Sequence, residues 1–190
     1  RASLSVDSSG ERLHRRGYRL QPGVAPLRET LAAAVLLDSG WDGTTPLCDP
    51  MCGSGTFLIE GALIARNRPP GASRHFAWER WPRLAEKKRP GSPGTPRRET
   101  PKILGFDHTE DAVRAARANI GRAVVPVTVV LGDAATLEPP PGEPGLVVTN
   151  PPYGQRVGDG KAAFGLVEAL AERFVGWQFV ALYALGGPLP

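Results

Sequence analysis

The stretch DPMCGSGTFLIEGALIAR, residues 49–66, decides the fold. The residues TPLCDP, 45–50, predict a short buried strand, and GTFLIEGALIARN, 55–67, has apolar residues at helical spacing. Between them lies a loop that contains Gly53 and Gly55. Glycines let a backbone turn tightly and lie against a ligand, and the N–H groups of a following helix point at whatever sits above the loop. The stretch therefore predicts a strand, a ligand-binding loop and a helix in succession.

The loop lacks the motifs of two common nucleotide-binding sites. A dinucleotide-binding loop has a third glycine three residues after the second, and this chain has Leu58 there. The Gly-Lys-Ser/Thr of a phosphate-binding P-loop does not occur either. A plain strand-to-helix turn remains the alternative for Gly-x-Gly considered alone.

Strand and helix patterns alternate on both sides of this stretch, which predicts an α/β fold with a mostly parallel sheet and helices on both faces. A short alternating strand at 3–7 and a short helix around 79–88 are also predicted. The remaining predicted strands are 102–107, 125–133, 144–154 and 177–185, and the remaining predicted helices are 25–41, 109–120 and 162–176.

Two aspartates end predicted strands, where open α/β sheets bind their ligands. Asp107 ends the second strand, where a carboxylate can accept hydrogen bonds from both hydroxyls of a ribose. The alternative is that it caps the next helix, a role for which Thr109 competes. Asp133 follows the third strand and could accept a hydrogen bond from an adenine amino group, although a simple turn aspartate is the alternative.

The fourth strand ends in NPPYG, residues 150–154, and this is the most specific signal. Pro151 and Pro152 fix the backbone and remove two donors, so the Asn150 side-chain oxygen and a main-chain carbonyl form a cluster of acceptors. Tyr153 adds a flat face with a polar tip. The set suits a planar substrate with an NH₂ group, held by two oxygens while its ring stacks on the tyrosine. A plain turn is the structural alternative.

Positive charge is concentrated in two segments, although the net charge of the chain is only +4. Residues 1–20 carry five arginines against two acids, and residues 66–102 carry eleven Lys or Arg against three acids. Clustered basic charge can pair with phosphates, which favours a nucleic-acid partner. A solvated, arginine-rich loop is the alternative.

Composition indicates a globular protein of the reducing cytoplasm. The longest apolar run is far shorter than the roughly 18 residues of a membrane span, so we expect no membrane partner. Cys48 and Cys52 are predicted to be reduced thiols. A structural zinc site needs about four ligands, and the three histidines are scattered, so we expect no metal. The sequence carries no signal of oligomeric state.

The order DPMCGSGT, GFD, GDA and NPPYG resembles the class I methyltransferases that use S-adenosylmethionine. More narrowly, LHRRGYR (13–19), APLRETLAAA (25–34), FAWERWP (76–82) and NPPYGQRVG (150–158) resemble THUMP-associated guanine-N2 RNA methyltransferases. The resemblance covers nearly the whole chain. It implies a Rossmann-like fold, S-adenosylmethionine as cofactor, and guanosine in large-subunit ribosomal RNA or tRNA as substrate.

The resemblance also implies a role for each matching residue. Asn150, Pro151, Pro152 and Tyr153 would hold the target guanine, and Pro26, Leu27 and Thr30 would lie near the methionine end of the cofactor. Arg15, Arg16, Tyr18 and Arg19 would line the approach of the RNA backbone. The cofactor itself would be bound by Asp49, Cys52, Gly53, Gly55, Thr56, Asp107, His108, Asp133, Ala134 and Asn150.

The resemblance predicts two parts of the chain. Residues 1–20 look like the exit segment of an upstream THUMP-like domain and a basic linker, and residues 21–190 look like the methyltransferase domain. The family's sixth and seventh strands should follow a further helix. We therefore expect a domain truncated after the fifth strand.

The predicted reaction is methyl transfer by in-line displacement, in which the guanine amine is the nucleophile, the sulfonium methyl of S-adenosylmethionine is the electrophile and the thioether is the leaving group. That amine is a weak base, so catalysis would come from orientation and polarisation rather than from a strong general base. No histidine or glutamate occurs beside NPPYG, which fits. The alternatives are N-methylation of adenine in DNA or RNA, N-methylation of a protein glutamine, and a non-catalytic nucleic-acid-binding module.

Overall fold

The computed structural model describes residues 2–19, 27–72, 74–84, 86–87, 95–151 and 159–182, without the side chains of 159–161. The chain forms helices and strands in the predicted alternation. Four α-helices are described, α1 (Glu29–Asp38), α2 (Thr56–Ala65), α3 (Glu110–Ala123) and α4 (Asp159–Arg173). The strands are β1 (Leu47–Asp49), β2 (Ile103–Asp107), β3 (Thr128–Leu131), β4 (Leu146–Thr149) and β5 (Gln178–Ala181).

The five strands form one sheet in the order β3-β2-β1-β4-β5, and every pairing is parallel. This is the predicted Rossmann-like α/β sheet. The strand order reverses between β1 and β4, where Leu47 pairs with Leu146 and Cys48 with Val147. Ligands of open α/β sheets bind in the crevice beyond the carboxyl ends of strands at such a reversal. The glycine-containing loop after β1 and the residues Asn150 and Pro151 after β4 therefore lie at the same edge of the sheet.

Helices cover both faces of the sheet. Neighbouring residues of one strand point to opposite faces, so each strand packs against helices on both sides. Leu47 lies in the larger apolar cluster, with residues of α1, α2 and α3. Cys48 lies in a second cluster with Leu170 and Phe174, on and just after α4. Helix α2 is buried along nearly its whole length. It begins directly after the glycine loop, residues 50–55, which contains Gly53 and Gly55.

Helix α3 begins where the sequence predicts. The Thr109 hydroxyl accepts a hydrogen bond from the Ala112 N–H, and Glu110 and Asp111 place negative charge in the first turn. Helix α1 ends at Asp38, and Gly40, the predicted terminator, follows two residues later with a φ of +76°.

Two predicted elements are wrong. Residues 3–7 are exposed and form no strand in the described chain, because their alternating side chains have no neighbouring strand to pair with. The helix expected around 79–88 is a single 3₁₀ turn, Ala77–Arg80. Pro82 follows this turn, and a proline in a helix interior removes a backbone hydrogen bond.

Candidate active site at the carboxyl ends of the strands

The glycine loop after β1 is held against the end of β2. The Cys52 N–H donates to the Phe106 carbonyl at 2.8 Å, and the Gly53 N–H donates to Asp107 Oδ2 at 3.0 Å. Gly105 makes this approach possible, since a Cβ there would lie 2.2 Å from Leu58 Cδ1 and 3.1 Å from Cys52 Sγ. The sequence-predicted residues Asp49, Cys52, Gly53 and Asp107 are therefore brought together.

Gly53 and Gly55 adopt the left-handed backbone that a tight loop requires. Their φ values are +52° and +81°, and a side chain rarely tolerates this region. A Cβ on Gly55 would meet Ala116 Cβ at 3.3 Å, so this glycine faces α3. A Cβ on Gly53 would meet no atom of the described residues within 4 Å, so this glycine faces away from the part of the protein that the structure describes. Thr56, buried, begins α2.

Asp49 lies beneath the loop and is fully enclosed. Its Oδ1 accepts a hydrogen bond from the Met51 N–H at 3.1 Å. Burial raises the pKa of this carboxyl to about 7, and the nearby charge of Asp107 adds to the increase. Burial also raises the pKa of the Cys48 and Cys52 thiols, which are both free and unpaired with each other. Both cysteines therefore remain thiols at neutral pH.

Asp107 has capacity for further hydrogen bonds. Its Oδ1 accepts from the Thr109 N–H and hydroxyl at 3.0 and 2.9 Å, and its Oδ2 accepts from Gly53. Thr109 provides the cap of α3, so Asp107 does not have that role. His108 is exposed, with Nδ1 at 3.7 Å from Asp107 Oδ1. Asp107 is therefore buried beside the loop, and His108 is exposed next to it.

The ends of β3 and β4 complete the edge. Asp133 Oδ1 accepts a hydrogen bond from the Ala135 N–H at 2.9 Å, which is the turn geometry considered as the alternative for this residue, and Ala134 is buried. Asn150 follows β4 directly and is partly exposed, and Pro151 is buried. Pro152, Tyr153 and Pro26 lie outside the described residues. Leu27 and Thr30 flank the start of α1 and are partly buried.

The residues predicted to line the RNA approach divide into two groups. Arg15 exposes 64 % of its side chain and pairs with Glu11 at 3.2 Å. Arg16 and Arg19 expose only 9 % and 10 % of theirs, and Tyr18 is buried. The contact of these four residues with RNA stays a prediction.

Sequence reasoning missed the partners of this inward-facing group. Arg16 lies 3.4 Å from Glu60 Oε2, and Arg19 donates to Thr56 Oγ1 and lies 3.8 Å from Glu29 Oε1. Glu60 lies in the most apolar of the described helices, and that isolated charge was the available signal. Asn119 was also missed, although it falls on the apolar stripe of α3, with Val113, Ala116 and Ala123.

Several arginines of the basic segment 66–102 bind main-chain carbonyls of the domain. Arg66 and Arg68 donate to Val124 and Ala123 at the end of α3, where cations complement the helix dipole. Arg74 donates to the Ser9 carbonyl at 3.3 Å and to that of Glu11. These side chains thus have roles in the fold, in addition to the charge they carry.

In the part of the chain described, the helices are all too short or too polar to cross a membrane. The described His, Cys, Asp and Glu side chains form no group of three or more that could hold a metal ion.

Comparison with known proteins adds sequence relatives. The RMKL-like methyltransferase domain family matches residues 16–177. A "Ribosomal RNA large subunit methyltransferase K/L" of Marinomonas sp. strain MWYL1 is 42 % identical over 95 % of this chain and 28 % of its own length. A protein of the same name from Vibrio campbellii is 44 % identical over 83 % of this chain and 24 % of its own length. The chain thus spans about a quarter of these curated relatives.

Solved structures share the fold. A "predicted N6-adenine-specific DNA methylase" from Listeria monocytogenes aligns with a TM-score of 0.75 and 32 % identity, covering 95 % of this chain and 50 % of its own. SMU.472, a putative methyltransferase complexed with SAH (S-adenosylhomocysteine), aligns with a TM-score of 0.72 and 32 % identity, covering 92 % of this chain and 48 % of its own.

Proposed function

The chain belongs to the RMKL-like methyltransferase domain family, and from this premise we propose that it transfers a methyl group from S-adenosylmethionine to the exocyclic N2 amine of a guanosine in RNA, specifically large-subunit ribosomal RNA. The observation that carries the proposal is the adjacency of β1 and β4. Their parallel pairing brings the glycine loop and Asn150 to one crevice, where a methyl donor and an acceptor amine can meet.

The loop residues fit the cofactor. The described residues leave the space next to the Gly53 Cα open, as a cradle for a ligand requires. Among the described residues, Asp107 Oδ2 accepts one hydrogen bond, from Gly53, and a carboxylate oxygen can accept two, so a ribose hydroxyl would have an acceptor there. When bound, S-adenosylmethionine supplies an electrophilic methyl group on a sulfonium. Asp107, the loop backbone around Gly53, and Asp133 with Ala134 would hold its ribose, methionine and adenine parts.

Asn150 orients the acceptor. Its side-chain oxygen would accept a hydrogen bond from the target amine, and the buried Pro151 fixes the backbone that carries it. The amine is a weak base, so the contribution of these residues is orientation and polarisation of the N–H bonds. Pro152 and Tyr153 would complete the grip on the base. A base in a duplex would first have to leave its stack.

Two observations support RNA as the substrate. The curated relatives are named as ribosomal RNA large-subunit methyltransferases. The chain has clustered basic charge in 1–20 and 66–102, and Arg15 exposes its charged group.

We also propose that the protein is cytoplasmic, because its two free thiols would stay reduced there. Adenine-N6 methylation is the second candidate, because a structural relative bears that name.

The test identifies the methylated product. The full-length protein is given labelled S-adenosylmethionine with unmodified ribosomal RNA, tRNA and DNA, and each nucleic acid is digested and its labelled nucleoside identified by mass. We expect N2-methylguanosine in large-subunit ribosomal RNA. The same nucleoside in tRNA alone would overturn the assignment of large-subunit ribosomal RNA as the substrate. N6-methyladenosine, or label in protein alone, would overturn the guanine assignment.

A further inference from the structure

A hydrogen-bonded pair on α3 holds the middle of the glycine loop. Asn119, 3 % exposed, donates from Nδ2 to the Ser54 carbonyl at 2.9 Å. Ser54 stands between Gly53 and Gly55. The Gly55 N–H donates to the Cys52 carbonyl at 2.8 Å, so both polar ends of the Ser54–Gly55 peptide are bound. Because a peptide is planar, these two bonds fix its orientation.

Arg122 orients the Asn119 amide. Its NH2 group donates to Asn119 Oδ1 at 2.5 Å, and its Nε donates to the Tyr18 carbonyl at 2.7 Å. The planar guanidinium presents these donors in a rigid fork, so one side chain fixes the amide relative to the main chain of Tyr18. The amide oxygen is thereby engaged by Arg122, which leaves the amide nitrogen directed at Ser54.

We propose that Asn119 and Arg122 are positioning residues for the cofactor. They act by holding the Ser54–Gly55 peptide in the one orientation that presents the loop to the methionine end of S-adenosylmethionine. The inference rests on the proposed function of the loop. Without Asn119, the described contacts hold this peptide by the Gly55 N–H alone, and the plane of the peptide can turn about that single hydrogen bond. Preorganised groups bind more tightly because less conformational freedom is lost on binding.

The chain offers a matched control on the same helix. Arg117 also donates twice to a main-chain carbonyl, from Nε at 3.1 Å and from NH2 at 2.6 Å to Val129 of β3. Its contacts lie on the sheet side of α3 and do not reach the glycine loop. Arg117→Met therefore removes a comparable pair of hydrogen bonds and leaves the contacts of Asn119 and Arg122 unchanged.

The test measures S-adenosylhomocysteine affinity by calorimetry in the full-length protein, at a temperature well below every unfolding midpoint. We expect Arg122→Met to weaken binding at least fivefold, and Arg117→Met to stay within twofold of wild type. Their unfolding midpoints should fall by similar amounts. In turnover with S-adenosylmethionine, KM should rise in Arg122→Met while kcat is retained, since a lost ground-state contact affects binding uniformly.

Asn119→Asp is the second variant. It keeps an oxygen for Arg122 but replaces the donor to Ser54 with an acceptor, and we expect at least fivefold weaker binding. This variant decides the question if Arg122→Met does not fold. Affinities of Arg122→Met and Asn119→Asp within twofold of Arg117→Met would overturn the inference. If wild-type protein binds no S-adenosylhomocysteine, the proposed function itself fails.

Discussion

The Tyr18 hydroxyl donates a hydrogen bond of 3.0 Å to Glu60 Oε1, and both side chains are buried. Arg16 completes the set at 3.4 Å from Glu60 Oε2. Burial raises the pKa of Tyr18, and it also raises the pKa of Glu60 against the opposing effect of Arg16. The basic segment before α1 is therefore anchored to α2, the helix that begins at the glycine loop.

Glu60→Ala should be among the most destabilising substitutions in the domain. It leaves the buried Arg16 guanidinium without its counter-charge and the Tyr18 hydroxyl without its acceptor. Breaking a buried ion pair from one side costs about 3 to 5 kcal/mol. Urea unfolding measures the loss. Glu11→Ala, which removes the partner of the exposed Arg15, should change stability by about 0.5 kcal/mol or less. Equal effects of the two variants would contradict the buried cluster.

Gly105→Ala should destabilise the protein by about 1 to 3 kcal/mol, because its Cβ would overlap Leu58 and press on Cys52 in the glycine loop. Gly121→Ala is the control. Gly121 is in α3, and a Cβ there meets nothing within 4 Å, so the change should stabilise by up to about 1 kcal/mol. The thermal unfolding midpoints of the two variants measure this difference in stability. A neutral Gly105→Ala would mean that β2 and the loop are not in close contact.

The stability of the cofactor-free protein should depend on pH through Asp49. Its pKa in the folded protein is about 7, above the ordinary value of 3.8, so the folded state binds more protons between these limits. Stability contributed by this group is present below pH 4 and is lost as pH rises through 7, by at most about 4 kcal/mol.

Asp49→Asn removes this dependence, because an amide does not ionise. The difference in free energy of unfolding between Asp49→Asn and wild type should therefore grow in favour of the variant from pH 5 to pH 8. Denaturant titrations at the two pH values measure it. A difference that is constant, or that grows in favour of wild type, would contradict the prediction. It would show that ionising Asp49 costs the folded protein little free energy.

Asn150→Ala should lower the rate of methyl transfer by a hundredfold or more while leaving S-adenosylhomocysteine affinity within about twofold of wild type. The reason is that the side-chain oxygen acts on the acceptor amine, and removing one preorganised polar contact to a reacting group typically costs this much. Single-turnover assays and calorimetry measure the two quantities. Loss of both would place Asn150 in the cofactor site instead.

The sheet and its crevice were predictable from sequence because their signals are local. Alternating strand and helix patterns give parallel pairing, and Gly-x-Gly together with residues at strand ends, such as Asp107, marks one edge of the sheet. Thr109 was recognisable as an N-cap for the same reason. These features depend on residues within a few positions of each other.

The interior placement of Tyr18 could not be predicted in the same way. LHRRGYR reads as a basic surface segment, and its partner Glu60 is 42 residues away from Tyr18. The strand expected at 3–7 failed for a related reason, since alternation alone does not supply a neighbouring strand. The position of Asn119 on the apolar stripe of α3 indicates burial but not its partner, because its bond to Ser54 spans 65 positions. Long-range polar pairing was thus the missing information.

The most direct test of the account compares S-adenosylhomocysteine affinity in Gly53→Ala and Gly40→Ala. Both glycines have positive φ, +52° and +76°, and a Cβ on either meets no atom of the described residues within 4 Å, so both variants should lose about 1 to 2 kcal/mol of stability. Gly53 faces the proposed cofactor and Gly40 ends α1. We predict that Gly53→Ala weakens binding more than tenfold and that Gly40→Ala leaves it unchanged. Equal affinity in the two variants would contradict a cofactor seated on the loop after β1.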